Sequence, residues 1–114
     1  MEAKELRIGN YVRWNNTAVS QMELSDFSNW YNDENSHEYG DFIKPLPLTE
    51  EWLLKFGFKF KEEYKEFYLK NITLSVRKNF FEFDYYGDIV NIKYVHQLQN
   101  LYFALTGEEL TLKQ

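Results

Sequence analysis

The chain contains no cysteine, which removes disulfides, thiolate metal sites and cysteine nucleophiles from consideration together. Proline occurs twice, both times within Lys44-Pro45-Leu46-Pro47, and histidine twice, at His37 and His96. No apolar run is long enough to cross a bilayer. The opening residues Met1–Asn10 mix charges and carry no apolar h-region, so no signal peptide is visible. Phosphate-binding glycine loops, dinucleotide fingerprints, the GxSxG elbow and HExxH are all missing. These absences point to a soluble cytoplasmic protein, and they leave catalysis without a positive signal.

What the chain does have is aromatic mass. Ten Phe, nine Tyr and three Trp make up 19% of its 114 residues. Large rings bury much area each, so a short chain can still close a core. The length fits one domain with a small satellite lobe. Thirteen basic against eighteen acidic residues leave a net charge of −5, which repels phosphate backbones at long range. That charge is uneven. Asn15 to Ile43 holds six acids and no Lys or Arg, whereas Lys55 to Lys78 holds seven basic residues against three acidic ones. The split suggests two regions joined near "KPLPLT", an N-terminal β lobe over 1–47 and a helix–meander–helix lobe over 48–114.

The periodicities predict an α+β fold. Ile8, Tyr11, Val12 and Trp14 form an apolar-rich strand interrupted at Gly9-Asn10 by a bulge or tight bend. "TAVSQMEL" reads as a second strand, and "SDFSNWYNDENSHEYG", dense in turn formers, reads as a loop. Such short strands suggest an SH3-like or partly open barrel. Thr49 then supplies an N-cap, Glu50 and Glu51 suit a first turn, and Gly57 can stop a short helix over 50–56. Beyond it the period becomes two. Phe58/Phe60, Ile72/Leu74/Val76, Phe81/Phe83/Tyr85 and Val90/Ile92/Tyr94 predict a four-stranded antiparallel meander with one buried face. Val95, Leu98, Leu101, Tyr102 and Leu105 share one stripe, predicting a C-terminal helix packed on that sheet.

Candidate chemistry is sparse. His96 falls opposite that stripe with Gln99 and Asn100 at helical spacing, and amides are poor zinc ligands, so it reads as a solvated or amide-bonded histidine. "TGEEL" reads as a helix stop, with Glu108 and Glu109 solvated and Leu110 folded back. Asp33, Glu34, His37, Glu38 and Asp41 crowd one stretch that could bind a divalent ion weakly. It lacks the ligand register and sixth-position Gly of an EF-hand, and an acidic surface loop is the simpler reading. No cofactor, metal or catalytic residue is assigned. Phe103, on the His96 face, either sits under the first lobe or marks a partner surface. Phe27, Trp30, Tyr31, His96, Gln99, Asn100 and Phe103 are thus the candidate partner-contacting residues.

The segments "LRIGNYV", "KPLPLTEEWLLKFGF" and "IKYVHQLQNLYFALTGEEL" resemble a family of small proteins from Bacteroidetes genomes and their prophages. The likeness covers the beginning, the middle helix and the C-terminal third, leaves out Asn15 to Tyr39, and carries over no catalytic or binding residue. It implies a bacterial, mobile-element context. The function expected from all this is a non-catalytic accessory or protein-interaction protein with an unknown protein partner and no membrane. The alternative is a nucleic-acid-binding module using the N-terminal lobe and the 55–78 basic stretch, which the net charge disfavours.

Overall fold

The computed structural model describes residues 5–14, 19–32 and 43–113, with the backbone alone for 29–32. It divides into two compact units, Met1–Leu46 and Pro47–Gln114. The fold is α+β with two open antiparallel sheets.

In the first unit, β1 (Tyr11–Trp14) lies between β2 (Val19–Gln21) and β3 (Ile43–Lys44). Strands of four, three and two residues do not close, so the barrel expected here is an open three-stranded sheet. Its entry is a tight turn. The Asn10 amide donates to the Arg7 carbonyl at 3.1 Å, and Gly9 adopts φ +94°, which a side chain would resist. The buried Asn10 side chain accepts from the Arg7 amide at 2.6 Å, tying the turn to itself. Leu6, Val12, Met22 and Ile43 form the core, with Trp14 and Phe27 packed against it.

The stretch expected to be a loop begins with a helix, α1 (Leu24–Asn32). The Asp26 carboxylate accepts from the Glu23 amide at 2.9 Å, the reach-back half of a capping box. Ser, Asp and Asn are turn formers, yet at a helix start the same side chains satisfy amides that have no helical partner.

In the second unit, Thr49 caps α2 (Glu50–Lys55), its hydroxyl accepting from the Trp52 amide at 3.3 Å. The helix ends as a Schellman motif. The Phe58 amide donates to Leu53 O and the Gly57 amide to Leu54 O, both at 3.0 Å, with Gly57 at φ +96°. Five strands follow in sequence and spatial order: β4 (Lys59–Lys61), β5 (Glu66–Leu69), β6 (Ile72–Val76), β7 (Phe81–Tyr85) and β8 (Asp88–Ile92). The sheet therefore has one strand more than the sequence pattern predicts. The extra strand is β5, where Phe67 and Tyr68 put aromatic rings on both faces and blur the period of two.

Register joins one row across all five strands: Phe60, Phe67, Leu74, Phe83 and Val90 stand side by side. Burial is complete at the middle and fades at both ends; Phe60 is 46% and Val90 40% exposed. Phe67 meets Phe60 at 4.8 Å and Phe81 edge-on at 6.2 Å. Each fully buried side chain of this kind contributes about 1.5–3 kcal/mol. The opposite face carries the polar row Lys61, Glu66, Ser75, Glu82 and Asn91.

The C-terminal helix α3 (Val95–Thr106) packs on the apolar face with Val95, Leu98 and Tyr102 buried. The Gln97 side chain reaches back to accept from the Lys93 and Tyr94 amides at 2.9 and 3.2 Å. Gly107, at φ +75°, ends the helix by donating to Phe103 O at 2.8 Å, and Leu110 is buried beyond it. No helix among the described residues is long and apolar enough to cross a membrane.

Candidate functional site

Four exposed apolar or aromatic side chains of the second unit, Tyr85, Tyr86, Ile89 and Val90, lie on the β7–β8 hairpin. Tyr85 and Asp88 pair across a two-residue loop in which Tyr86 and Gly87 both have positive φ, 51° and 95°. That combination matches a type I′ turn, whose twist suits a hairpin but which places a non-glycine residue in the left-handed region. The Asp84 carboxylate accepts from the Gly87 amide at 2.9 Å and holds the turn closed. Tyr86 projects from the tip, 93% exposed, with its ring edge-on to Tyr85 at 4.7 Å. Ile89 and Val90 on β8 are also exposed, Val90 on the face of Tyr85 and Ile89 on the opposite, polar face.

Behind the tip lies a cleft of about 540 Å³. Its walls include Phe83, Tyr85 and Tyr86 from the hairpin, Ile72 from β6, and Leu105 and Thr106 from the end of α3. Two of its polar groups, Asp84 and Thr106, already have structural work. The Thr106 hydroxyl donates to Tyr102 O at 2.7 Å, and Asp84 holds the turn. Among the described residues no histidine, lysine or arginine lines the cleft.

Beside this cleft, Lys70 at the β5–β6 turn meets Glu108 at 2.8 Å, fastening the turn to the chain after α3. The Glu108 carboxylate, and after it Tyr102, hold the Lys70 ammonium above its ordinary pKa. Lys70 in turn holds the Glu108 carboxyl below its own. Glu108 is thus solvated as the sequence suggests, but paired.

The residues singled out from sequence do not form one surface. Phe27 is half-buried and packs on the first unit's core. Trp30 and Tyr31 lie on the backbone of α1, and their side chains are outside the described residues. His96 and Gln99 are buried, at 4% and 1% exposure, a correction to the outward face expected for them. The His96 ring stacks on Tyr94, 5.9 Å between centroids and 7° from parallel. Asn100 is half-buried, and Phe103 alone of the four is open, at 41%. A stripe drawn at 100° per residue marks one buried face, whereas this helix buries residues over a wider arc. Leu105, expected in the stripe, lines the open cleft instead. The acidic stretch Asp33–Asp41 lies outside the described residues. Among those described, no cluster of three His, Asp or Glu side chains could hold a metal ion.

Three of the seven basic residues in the 55–78 stretch face an acid. Lys55 pairs with Glu51 at 3.2 Å, Lys70 with Glu108, and Arg77 with Glu82 at 3.1 Å. Lys61 lies over the Tyr68 ring at 4.8 Å. The sequence places a turn at Tyr86-Gly87-Asp88 but does not mark it as a candidate contact surface. The signal was present in Tyr85-Tyr86-Gly87-Asp88, a turn sequence carrying two large rings where small polar residues are usual. No protein-family model, curated protein or solved structure matches the chain.

Proposed function

We propose that this protein is a non-catalytic interaction module and that the β7–β8 hairpin is its contact surface. One observation carries this reading: Tyr85, Tyr86, Ile89 and Val90, four large apolar or aromatic side chains among six consecutive residues, are all exposed, and the two tyrosines line an open cleft. Exposed aromatic residues clustered on a rigid hairpin are the composition of protein contact surfaces, where rings supply most of the contact energy. The bonding of Asp84 and Thr106 within the fold supports a binding role over a reactive one.

A nucleic-acid reading has less behind it, because Lys55, Lys70 and Arg77 each face an acid and the polar sheet face also carries Glu66 and Glu82. The mobile-element context and cytoplasmic location implied by the sequence resemblance belong to the same proposal.

The test compares two double variants as bait in extracts of the native host. Tyr86→Ala with Ile89→Ala removes hairpin rings and apolar surface; Tyr64→Ala with Lys61→Ala alters the far edge of the same sheet. The reading expects the first to lose the proteins captured by the unaltered chain and the second to keep them. Equal capture by both would contradict it.

A further inference from the structure

The two edges of the five-stranded sheet are built differently. β4 has three residues, with Lys59 and Lys61 on either side of Phe60. Short length and edge lysines are the ordinary protection against unwanted strand pairing. β8 has five residues, Asp88-Ile89-Val90-Asn91-Ile92, with no lysine, proline or bulge within it. Just beyond it the same edge is paired: the Leu48 amide donates to Lys93 O at 2.8 Å, and Pro47 bridges to Tyr94 in antiparallel sense.

Hydrogen-bond direction along β8 follows from its register. Tyr85 and Asp88 flank a two-residue loop, so they exchange backbone bonds, and the alternation repeats at Phe83–Val90 and Phe81–Ile92. The amides and carbonyls of Ile89 and Asn91 therefore point away from β7. Lys93, next in that outward series, is the residue whose carbonyl accepts from Leu48. Among the described residues no strand lies on this edge of β8, and two residues' worth of outward backbone groups stand open in line with Pro47-Leu48.

We propose that this edge takes an extended segment of a partner protein as a sixth strand, with an apolar residue against Val90 and a basic residue two positions away against Asp88. The inference rests on the interaction reading above and names the partner's chemistry. Val90 ends the apolar row Phe60–Phe67–Leu74–Phe83–Val90 and is left open by the lack of a neighbour. On the outer edge it is a non-hydrogen-bonded position, where cross-strand side chains come closest. Asp88 shares its face two residues before it. From Asn79 to Ile92 the chain holds Glu82, Asp84 and Asp88 and no basic residue, and Glu82 is bound by Arg77. A basic residue on the incoming strand is the charge complement. A second copy of this chain is the weaker occupant. Five residues pairing across a two-fold, without a broad apolar face behind them, fall short of the roughly 1,200 Å² that stable dimers bury. A copy would also bring Asp88 and no cation from its own hairpin.

Amide exchange of the isotope-labelled full chain tests this, with synthetic strand peptides as probes. One repeats Val-Thr-Lys-Thr, so that Val and Lys share a face two positions apart; a second has Glu in place of Lys, and a third is the first with a central proline. The expected result is that Ile89 and Asn91 amides exchange quickly in the free chain at every concentration. They should slow about tenfold with the basic peptide at about ten times its Kd, and neither other peptide should slow them. Asn91→Pro deletes an outward donor without touching the β7 ladder and should abolish the protection. Should that variant fail to fold, Ile89→Lys, on an exposed position, should weaken binding in the same way. Protection in the free chain that rises with its own concentration would assign the edge to a second copy and overturn the proposal. Slowing confined to cleft residues, or none with any peptide, would also overturn it, while the capture experiment above would stand or fall independently.

Discussion

The β4 and β8 edges bound the same sheet and end the same apolar row, yet only one of them is defended. At the β4 end, Phe60 is half open between two lysines, and Lys61 lies over the Tyr68 ring. At the β8 end, Val90 is open with Ile89 and Asn91 beside it, and Tyr86 projects from the adjoining tip. Both ends leave apolar surface in water, so exposure by itself does not mark a contact site. The missing edge lysines do, because pairing with the wrong strand is the hazard that they prevent.

The largest expected effect separates the row's centre from both its ends. Leu74→Ala opens a cavity in a fully buried site and should cost about 2–5 kcal/mol in denaturant unfolding. Phe60→Ala and Val90→Ala, each at a half-open end, should cost far less, with Val90→Ala at about 1 kcal/mol or below. A Val90→Ala loss as large as that of Leu74→Ala would mean that the edge is covered in solution.

The glycines beside the two edges sharpen the contrast next. Gly57, before β4, and Gly87, before β8, have nearly the same φ, +96° and +95°. An alanine costs about 1–2 kcal/mol in that region at either place. At Gly57 a Cβ would also stand 2.7 Å from Lys113 Cε, whereas at Gly87 it meets open space. Thermal unfolding should therefore rank Gly57→Ala as the more damaging, by the amount needed to displace one flexible lysine.

Stripping the guard should erase the difference between the edges. Lys59→Val with Lys61→Val is expected to change unfolding by no more than about 0.5 kcal/mol per site while making the chain self-associate, read by analytical ultracentrifugation across concentrations. A strictly monomeric double variant would remove the defensive role given to these lysines.

The smallest effect concerns the tie beside the cleft. Glu108 is held low, so its share of stability is present above the ordinary carboxylate pKa and is lost as pH falls through the lowered one. Lys70 is held high, so its share is present below the ordinary lysine pKa and is lost as pH rises through the raised one. Between those limits the tie is constant. Both groups are solvated, so the gain is slight. Glu108→Gln should flatten the acid limb of the stability curve of the second unit and leave the β8 edge untouched.

Much of the second unit was legible because its signals are local. Thr49, Gly57 and Gly107 act through their own backbone neighbours, and the alternation in β6 and β7 needs only one buried face. The misses were places where a neighbour decides. β5 carries rings on both faces because Tyr68 receives Lys61 from the next strand. Residues Ser25–Asn32 looked like a loop because Asp26 works as a cap rather than as a turn former. His96 and Gln99 looked outward because a single stripe assumes one covered side, and they are buried. The contact surface was the least legible part. Exposure of Tyr86 follows from a turn type, and the bareness of β8 from which strand ends the sheet; neither is written in residue spacing.

Two tyrosines allow a direct test, one at each end of the sheet. Tyr64, between β4 and β5, is 69% exposed, and Tyr86, between β7 and β8, is 93% exposed. A photo-reactive amino acid placed at each position in turn, in living cells of the native host, reports what touches either end. A discrete partner adduct at position 86 and none at position 64 is the outcome expected if the hairpin is the contact surface. Adducts at position 64 alone, or the same adducts at both, would contradict it.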